Sequence, residues 1–393
     1  VAAYRAPGAT PTAFSVESVV DDLARSLSID PMEFRLRNVS RPGDPMPDGD
    51  LLTSVNFTEV LNRVKLHDCW TTPLEGKNRG RGLALGMWTM PGGTASCHVN
   101  LNGDGSVTLV LGTPDLSGTR TSLGLVAAEA LGLALSDVKV TIANTDAVAY
   151  SDASAGDRIT YIASIAVGRA CASLIESMKA RVASEFDTSP EHIGYCDGRF
   201  AASGVPEMSV SWEAMALRSV RGDGALSASG VASEIPDGAA IAPNATAHVV
   251  DVEVDPETGK VDLLRYTTFQ DAGLAVNPAQ VEGQMQGGAT QGIGWALSEG
   301  YDYDEDGRLQ NATLLDYRLP TSMDVPFIDT EIIEIPSEAH PLGIRAVGQA
   351  PIVPPAGAIA NAIYNAVGAR MRQLPMKPET VYLAIRDSEG QQA

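Results

Sequence analysis

Cysteine and histidine are scarce in this chain, cationic residues are outnumbered, and each shortage excludes a class of protein. Four cysteines (Cys69, Cys97, Cys171 and Cys196) stand far apart in 393 residues. They form neither a disulfide framework nor a CxxC metal or iron–sulfur ligand set. The five histidines are equally scattered and no HExxH occurs, which removes that zinc-protease pattern. Lys and Arg total 28 against 49 Asp and Glu, a formal net charge of −21. So acidic a chain is repelled by phosphate backbones and by anionic membrane surfaces, which argues against nucleic-acid partners. No apolar run approaches the roughly 20 residues of a membrane span. Neither GxGxxG after a first strand nor GxxxxGK[ST] is present, which argues against a nicotinamide or nucleoside-triphosphate site. No repeat of about 20–50 residues occurs.

What is present suits a loop-rich enzyme part. Apolar residues make up 44% of the chain, with 38 glycines and 24 prolines, enough for a core and many tight turns. At about 150 residues per domain the length suggests two or three domains. The changes of texture divide the chain into 1–80, 81–245 and 246–393. No basic stretch leads into an apolar segment of about 7–15 residues, so a signal peptide is not expected and a cytoplasmic location is.

Val16, Val19, Val20, Leu23 and Leu27 recur at helical spacing and predict an amphipathic helix over 12–28. Asp30-Pro31-Met32-Glu33 predicts a capped helix start, with Glu33 in the reciprocal position. Another short helix is expected over 56–66. Strands are expected at 82–90, 95–101 and 106–112, the last two joined by a turn at Asn102-Gly103-Asp104-Gly105. A helix near 120–133, a strand at 137–143 and a long helix near 160–184 follow. Residues 186–238 read as loop or a small insertion. A second hairpin covers 246–254 and 260–269, then helices near 278–298 and 355–371 and strands at 309–315 and 328–335. The mixed order predicts an α+β fold of mixed sheets with packed helices.

Five glycine-rich segments stand out: 5–8, 112–118, 155–158, 283–292 and 343–351. Glycine permits close backbone approach, and helix N-termini offer free N–H donors to anions. Singly, each is more often just a turn. Asp271 and Asn277 read as turn and cap residues, and Asp157 suits a helix N-cap.

As an ordered set, these segments resemble the C-terminal half of the molybdopterin-binding large subunit of the xanthine dehydrogenase/aldehyde oxidase family. Ala3-Tyr4-Arg5-Ala6-Pro7-Gly8 and Ile29-Asp30-Pro31-Met32-Glu33 through Asn38 are similar to the family's AxRGxG and IDPxExRxxN. Asp271-Ala272-Gly273, Asn277-Pro278, Val281-Glu282-Gly283-Gln284 and Gln291-Gly292-Ile293-Gly294 resemble DxGxxxNP…VEGQ…QGIG. Gly343 to Pro355, followed by Ala358 to Ile363, resembles GxKGVGEPPxxPP…AIxNAI. The resemblance implies molybdenum-cofactor-binding domains of the molybdenum hydroxylase type. It also implies a molybdenum–molybdopterin cofactor, in some members extended as the cytosine dinucleotide. The activity it implies is hydroxylation of a small heteroaromatic or aldehyde-type substrate with oxygen from water. Electrons would pass to a [2Fe-2S] small subunit and an FAD-binding medium subunit. Some members, nicotinate dehydrogenase among them, divide the large subunit, so a complementary N-terminal half is an implied partner.

Carried over residue by residue, the resemblance places Arg5, Ala6 and Gly8 beside the molybdenum, with Arg5 and Pro7 toward substrate. Pro7 stands where several members have a stacking aromatic. Gly112 and Gly118 bound the segment that resembles the pterin loop. Gly156, Asp157 and Arg158 match a segment at the metal centre and pterin, and Gln291 matches a glutamine that hydrogen-bonds the pterin. Gly348 and Gln349 fall in the GVGEPP motif, where Gln349 replaces the glutamate that serves the family as general base. Glutamine has the shape of glutamate, but its amide is no useful base. Gln349 is therefore expected to orient substrate at the catalytic position. The alternative is a catalytically altered or degenerate scaffold subunit.

Overall fold

The computed structural model describes residues 3–46, 49–90, 92–233 and 243–392. Its first elements are α1 (Ala9–Ser26), α2 (Pro31–Asn38), α3 (Phe57–Leu66), α4 (Asp68–Thr71) and β1 (Arg79–Trp88). Then come β2 (Ala95–Leu101), β3 (Val107–Leu111), α5 (Thr119–Leu131), β4 (Val138–Ile142) and α6 (Arg158–Glu185). After these follow β5 (Ile193–Cys196), β6 (Arg199–Ala202), β7 (Val205–Ser211), α7 (Trp212–Arg221) and β8 (Ser227–Ala232). The last are β9 (Asn244–Val254), β10 (Val261–Asp271), α8 (Pro278–Leu297), β11 (Ile328–Ile333), α9 (Pro355–Val367) and α10 (Pro378–Gln392).

Two compact units result, one of Val1–Thr89 with Ile241–Ala393 and one of Met90–Ala240. The division of the sequence into 1–80, 81–245 and 246–393 is corrected by this arrangement. The start of the middle segment joins the last one, because β1 pairs antiparallel with β9 over its whole length, Arg79 opposite Glu253 through Trp88 opposite Asn244, and the first segment falls in the same unit.

The sheet of the first unit runs β1-β9-β10-β11, with β10 and β11 parallel. Helix α9 lies on β1 at very close range. A Cβ on Gly82 would sit 2.0 Å from the Ala358 carbonyl, and one on Gly80 2.1 Å from that of Ala362. Glycine on the strand and alanine on the helix are thus one feature, allowing backbone to approach backbone. Within the sheet His248 is fully buried, 2.9 Å from the Tyr266 hydroxyl and 2.8 Å from the Thr268 hydroxyl. Burial pushes its pKa down to about 3. The unfolded chain, with His near 6.5, binds a proton that the folded chain refuses. Stability is therefore full above about pH 6.5 and falls on acidification by about 1.4 kcal/mol per pH unit. His248→Gln is expected to flatten the pH dependence of the denaturation midpoint between about pH 6 and pH 4 by one proton. An unchanged slope would reject the assignment.

In the second unit the sheet runs β4-β3-β2-β8, with β3 and β4 parallel across the α5 crossover. Helix α6 is long and apolar enough to cross a membrane by length and composition, against the expectation that no segment approaches a span. Its apolar residues are largely buried, and Gly230 of β8 fits against it with an ideal Cβ 2.1 Å from the Ala166 carbonyl. It has the character of a core helix.

The hairpin turn before Ser106 is formed, with Gly105 at φ 91. Asp30 Oδ1 accepts from the Met32 and Glu33 amides at 2.9 and 3.0 Å. Glu33 pairs with Arg37 instead of reaching back. Three expectations change. Residues 309–315 form no strand beyond a single bridge from Leu309 to Tyr303, and Leu314 and Leu315 lie exposed. The described part of 186–238 is structured, a β5-β6-β7 sheet with α7 and β8. Tyr195 stacks on Phe200 at 4.5 Å and on past it to Trp212. Residues 234–238 of that segment lie outside the described residues.

The third change concerns α1. The helix forms, but Val16, Val19, Leu23 and Leu27 are exposed. Its buried face carries Ala13, Phe14 and Ala24 together with Glu17, Ser18 and Asp21. Ion pairs account for this: Glu17 meets Arg35 at 2.8 Å, and Asp21 meets Arg25 and Arg370, each at 3.0 Å.

Candidate functional site

The first unit brings Arg5, Ala6, Gln291, Gly348 and Gln349 together. Residues 5–8 form a tight turn ahead of α1, with Ala6 at φ 52 and Gly8 at φ 77. From this turn the Arg5 guanidinium reaches three segments. Its Nε donates to the Gly348 carbonyl at 2.5 Å, Nη1 to Gln291 Oε1 at 3.3 Å, and Nη2 to the Gln284 carbonyl at 3.3 Å. Gln349 Oε1 accepts the Ala6 amide N–H, a contact between residues 343 positions apart. Gln291 donates from its amide to the Tyr4 hydroxyl. Burial raises the Tyr4 pKa, partly offset by that bond, so the phenol stays protonated at neutral pH. Pro7 and Gly8 are exposed beside this cluster.

The loop that presents Gln349 is held from below. Three successive carbonyls each receive a side-chain donor from a different place: Ala346 from Asn244, Val347 from Gln270 at 3.0 Å, and Gly348 from Arg5. One step earlier, Arg345 is buried and pairs with Asp271 at 2.9 Å; both side chains are almost wholly out of water. Asp271 also accepts from Asn56 at 2.6 Å and from the Gly273 amide at 3.0 Å. Burial raises the Asp271 pKa, against the lowering pull of Arg345. Asp271 is thus an anchor under the loop, and Asn277, at the start of α8, makes no side-chain cap. Removing one member of such a pair strands a buried charge. Arg345→Met is expected to cost about 3–5 kcal/mol in denaturant unfolding; a cost within about 0.5 kcal/mol would place the pair among weak surface contacts.

The glycines of 283–292 lie inside α8 and form no anion-binding loop. An ideal Cβ on Gly288 would meet Pro351 Cβ at 2.6 Å and the Arg5 guanidinium at 3.0 Å, and one on Gly292 would meet Pro355 at 2.5 Å. They let α8 lie against the 350–355 turn and leave room for Arg5.

The second unit carries the other predicted residues. Gly112 and Thr113 follow β3, and Gly118, at φ 77, stands at the N-cap of α5. An ideal Cβ on Gly112 would meet Val148 and Ser151 at 3.0–3.1 Å, so this loop lies against the stretch leading to Gly156. Gly156 and Asp157 both have positive φ, 63 and 69. Asp157 occupies the N-cap position of α6 but makes no capping bond, which corrects the cap reading; a left-handed backbone there replaces the extended one a cap requires. Arg158 donates to the Ala155 carbonyl at 2.9 Å and faces Asp152 at 3.5 Å. The Thr94 amide, the Tyr150 hydroxyl and Arg158 hold the Asp152 carboxyl below its ordinary range.

Sequence reasoning did not single out Tyr4, Gln284, Asn244, Gln270, Thr113 or Asp152. Tyr4 and Gln284 lay in quoted motifs, and Thr113 in a glycine-rich segment. The others contribute single side-chain contacts that leave no spacing signal. Burial pushes the Cys69, Cys97 and Cys171 thiols up, so none offers a thiolate at neutral pH.

Carboxamides, a guanidinium and glycine-shaped turns are groups that can hold a polar organic cofactor. Residues 61–326 match the family model of the molybdopterin cofactor-binding domain, and residues 1–39 match a second model of the same description. The chain belongs to the molybdopterin cofactor-binding domain family. It is 32% identical over 400 residues to a xanthine dehydrogenase molybdenum-binding subunit of Escherichia coli O157:H7, covering 97% of this chain and 53% of that protein. It is 31% identical over 425 residues to a nicotine 6-hydroxylase large subunit of Paenarthrobacter nicotinovorans, covering 99% and 52%. The solved quinoline 2-oxidoreductase of Pseudomonas putida 86 superposes with a TM-score of 0.85 at 25% identity, over 98% of this chain and 53% of that one. The chain thus spans about half the length of the relatives it matches.

The residues fit a pterin. Its rings carry donors and acceptors side by side, which the Gln291 carboxamide can answer in kind. Thr113 Oγ1, in the glycine-rich loop of the second unit, is buried with no hydrogen-bond partner. Among the described residues the grouping of metal-ligating side chains is His67, Asp68 and Asp329, none of them in this cluster.

Proposed function

We propose that this chain is the cofactor-binding part of an active molybdenum hydroxylase. Its substrate is a small heteroaromatic or aldehyde-type molecule, hydroxylated with oxygen from water. The cofactor is molybdenum–molybdopterin, which family members carry with or without the cytosine dinucleotide extension. Partners are a complementary N-terminal half of the large subunit, a [2Fe-2S] small subunit and an FAD-binding medium subunit, in the cytoplasm. The observation that carries this reading is the clamp on the carbonyls of residues 346–348, which fixes Gln349 against the Ala6 amide with Arg5 spanning the turn, the loop and α8. When bound, the cofactor supplies two-electron acceptance from the substrate carbon. The chain's own residues do the positioning. Arg5 and Gln291 hold the pterin edge, Gln349 orients substrate, and Pro7 borders the substrate side without the stacking aromatic. The degenerate-scaffold alternative has only the identity of residue 349 in its favour, and the side chain there is seated as a working residue would be.

The test is turnover of the isolated complex with quinoline, nicotinate and benzaldehyde in ¹⁸O-enriched water, with an artificial dye as electron acceptor. Product carrying the water label is expected with at least one of them. Label arriving from dioxygen alone, or no dye reduction by a complex shown to contain the cofactor, would contradict it.

A further inference from the structure

We infer that Tyr4 is a positioning residue for the cofactor, acting through Gln291, an inference that rests on the proposed function above and deepens it. A carboxamide can turn end for end without changing its shape, so its partners set its direction. Gln291 has one at each end. Arg5 Nη1 lies 3.3 Å from Oε1, and a guanidinium only donates, so this end is the oxygen. The other end donates to the Tyr4 hydroxyl. The two partners are adjacent in the chain, so the segment ahead of α1 grips one side chain of α8 from both ends. Each contact uses half of what its end offers. Oε1 keeps a second lone pair and Nε2 a second hydrogen. An acceptor and a donor side by side can pair with a pterin edge, and a reversed carboxamide would offer them in the wrong order. Arg5 forbids the reversed form, and Tyr4 fixes the plane.

The surroundings keep the phenol neutral. Gln291 and Gly294 stand one turn apart on α8. Against Gly294 lies the Glu299 carboxylate, whose Oε1 would be 2.1 Å from an ideal Cβ there. That carboxylate is buried and accepts from the Tyr317 hydroxyl at 2.8 Å. Burial, and behind it the Glu299 charge, raises the Tyr4 pKa. A phenolate beside Arg5 would compete for the guanidinium that orients Gln291. A neutral hydroxyl takes the Gln291 N–H and leaves Arg5 in place.

The test uses the intact complex isolated from its host, with Tyr4→Phe, Gln291→Ala or both in this chain. Tyr4→Phe keeps the ring and removes the hydroxyl alone. It is expected to lower the molybdenum and pterin retained on dialysis about tenfold. The midpoint potential of the molybdenum that stays bound, followed by electron paramagnetic resonance, should fall, because a donor at the pterin favours the reduced state. In the Gln291→Ala background the same substitution should change retention less than about twofold, since residues that act as a unit do not add. Tyr303→Phe, at a tyrosine 61% exposed in the same unit, should change neither quantity. Retention and potential equal to those of the unaltered complex overturn the inference. Loss of cofactor at unchanged potential also overturns it, being what a merely structural residue gives. So does a full tenfold loss in the Gln291→Ala background. The unaltered complex separates the two failures. Where it holds molybdenum, these outcomes refute the role of Tyr4 alone; where it holds none, the proposed function falls.

Discussion

Gln349→Glu is expected to raise the turnover number of the assembled enzyme by about 10²–10⁴-fold, the usual contribution of a general base. The geometry makes the substitution a clean one. Gln349 Oε1 already accepts the Ala6 N–H, and a carboxylate oxygen accepts the same bond. The second oxygen then takes the place of the amide NH2 and can receive a proton from the attacking water. The preceding carbonyl is bound by Arg5, so a cation stands close enough to favour the ionised carboxylate. The cluster around residue 349 is made of carboxamides, a guanidinium and backbone groups, none of which can do this work at neutral pH. The gain should appear in kcat, with KM changed little, because the side chain keeps its size and its anchoring bond. An unchanged or lowered kcat would give the amide a role of its own in binding substrate.

Arg5→Ala should have the second largest effect, on cofactor content. One guanidinium joins the 5–8 turn, the Gly348 carbonyl, Gln291 and the Gln284 carbonyl. Its loss frees the last of the three clamped carbonyls and leaves the space above Gly288 empty. Supporting residues around a metal centre are typically worth about 10–100-fold in affinity, and a loss of molybdenum in that range is expected on dialysis. Arg5→Lys should recover little of it, because an ammonium cannot hold three directions as a planar fork does. Full molybdenum retention in both variants would confine Arg5 to folding.

Local features were legible where one residue type meets one backbone requirement. Asp30 before Pro31 announced its cap, and Gly105 its turn. The cluster of Arg5, Gln291, Gly348 and Gln349 was legible only through the ordered motifs. No periodicity links residues more than 280 positions apart, and a lone arginine turn is uninformative. The misreadings share a cause as well. The stripe on α1 was read correctly as a helix face, but its direction depended on Glu17 and Asp21 finding Arg35 and Arg370, which the local sequence cannot show. The helix over 278–298 was legible, but the sequence does not reveal that its Gly288 and Gly292 are there because Pro351 and Pro355 pack against them. The supports of the 346–348 loop, Asn244 and Gln270, lie on strands whose pattern records only burial.

The most direct test of the account is the metal and pterin content of the complex isolated intact through a tag on this chain. The account predicts roughly one molybdenum and one pterin per chain, both reduced in parallel by Arg5→Ala. A freshly isolated, intact complex with no molybdenum and no pterin would contradict it.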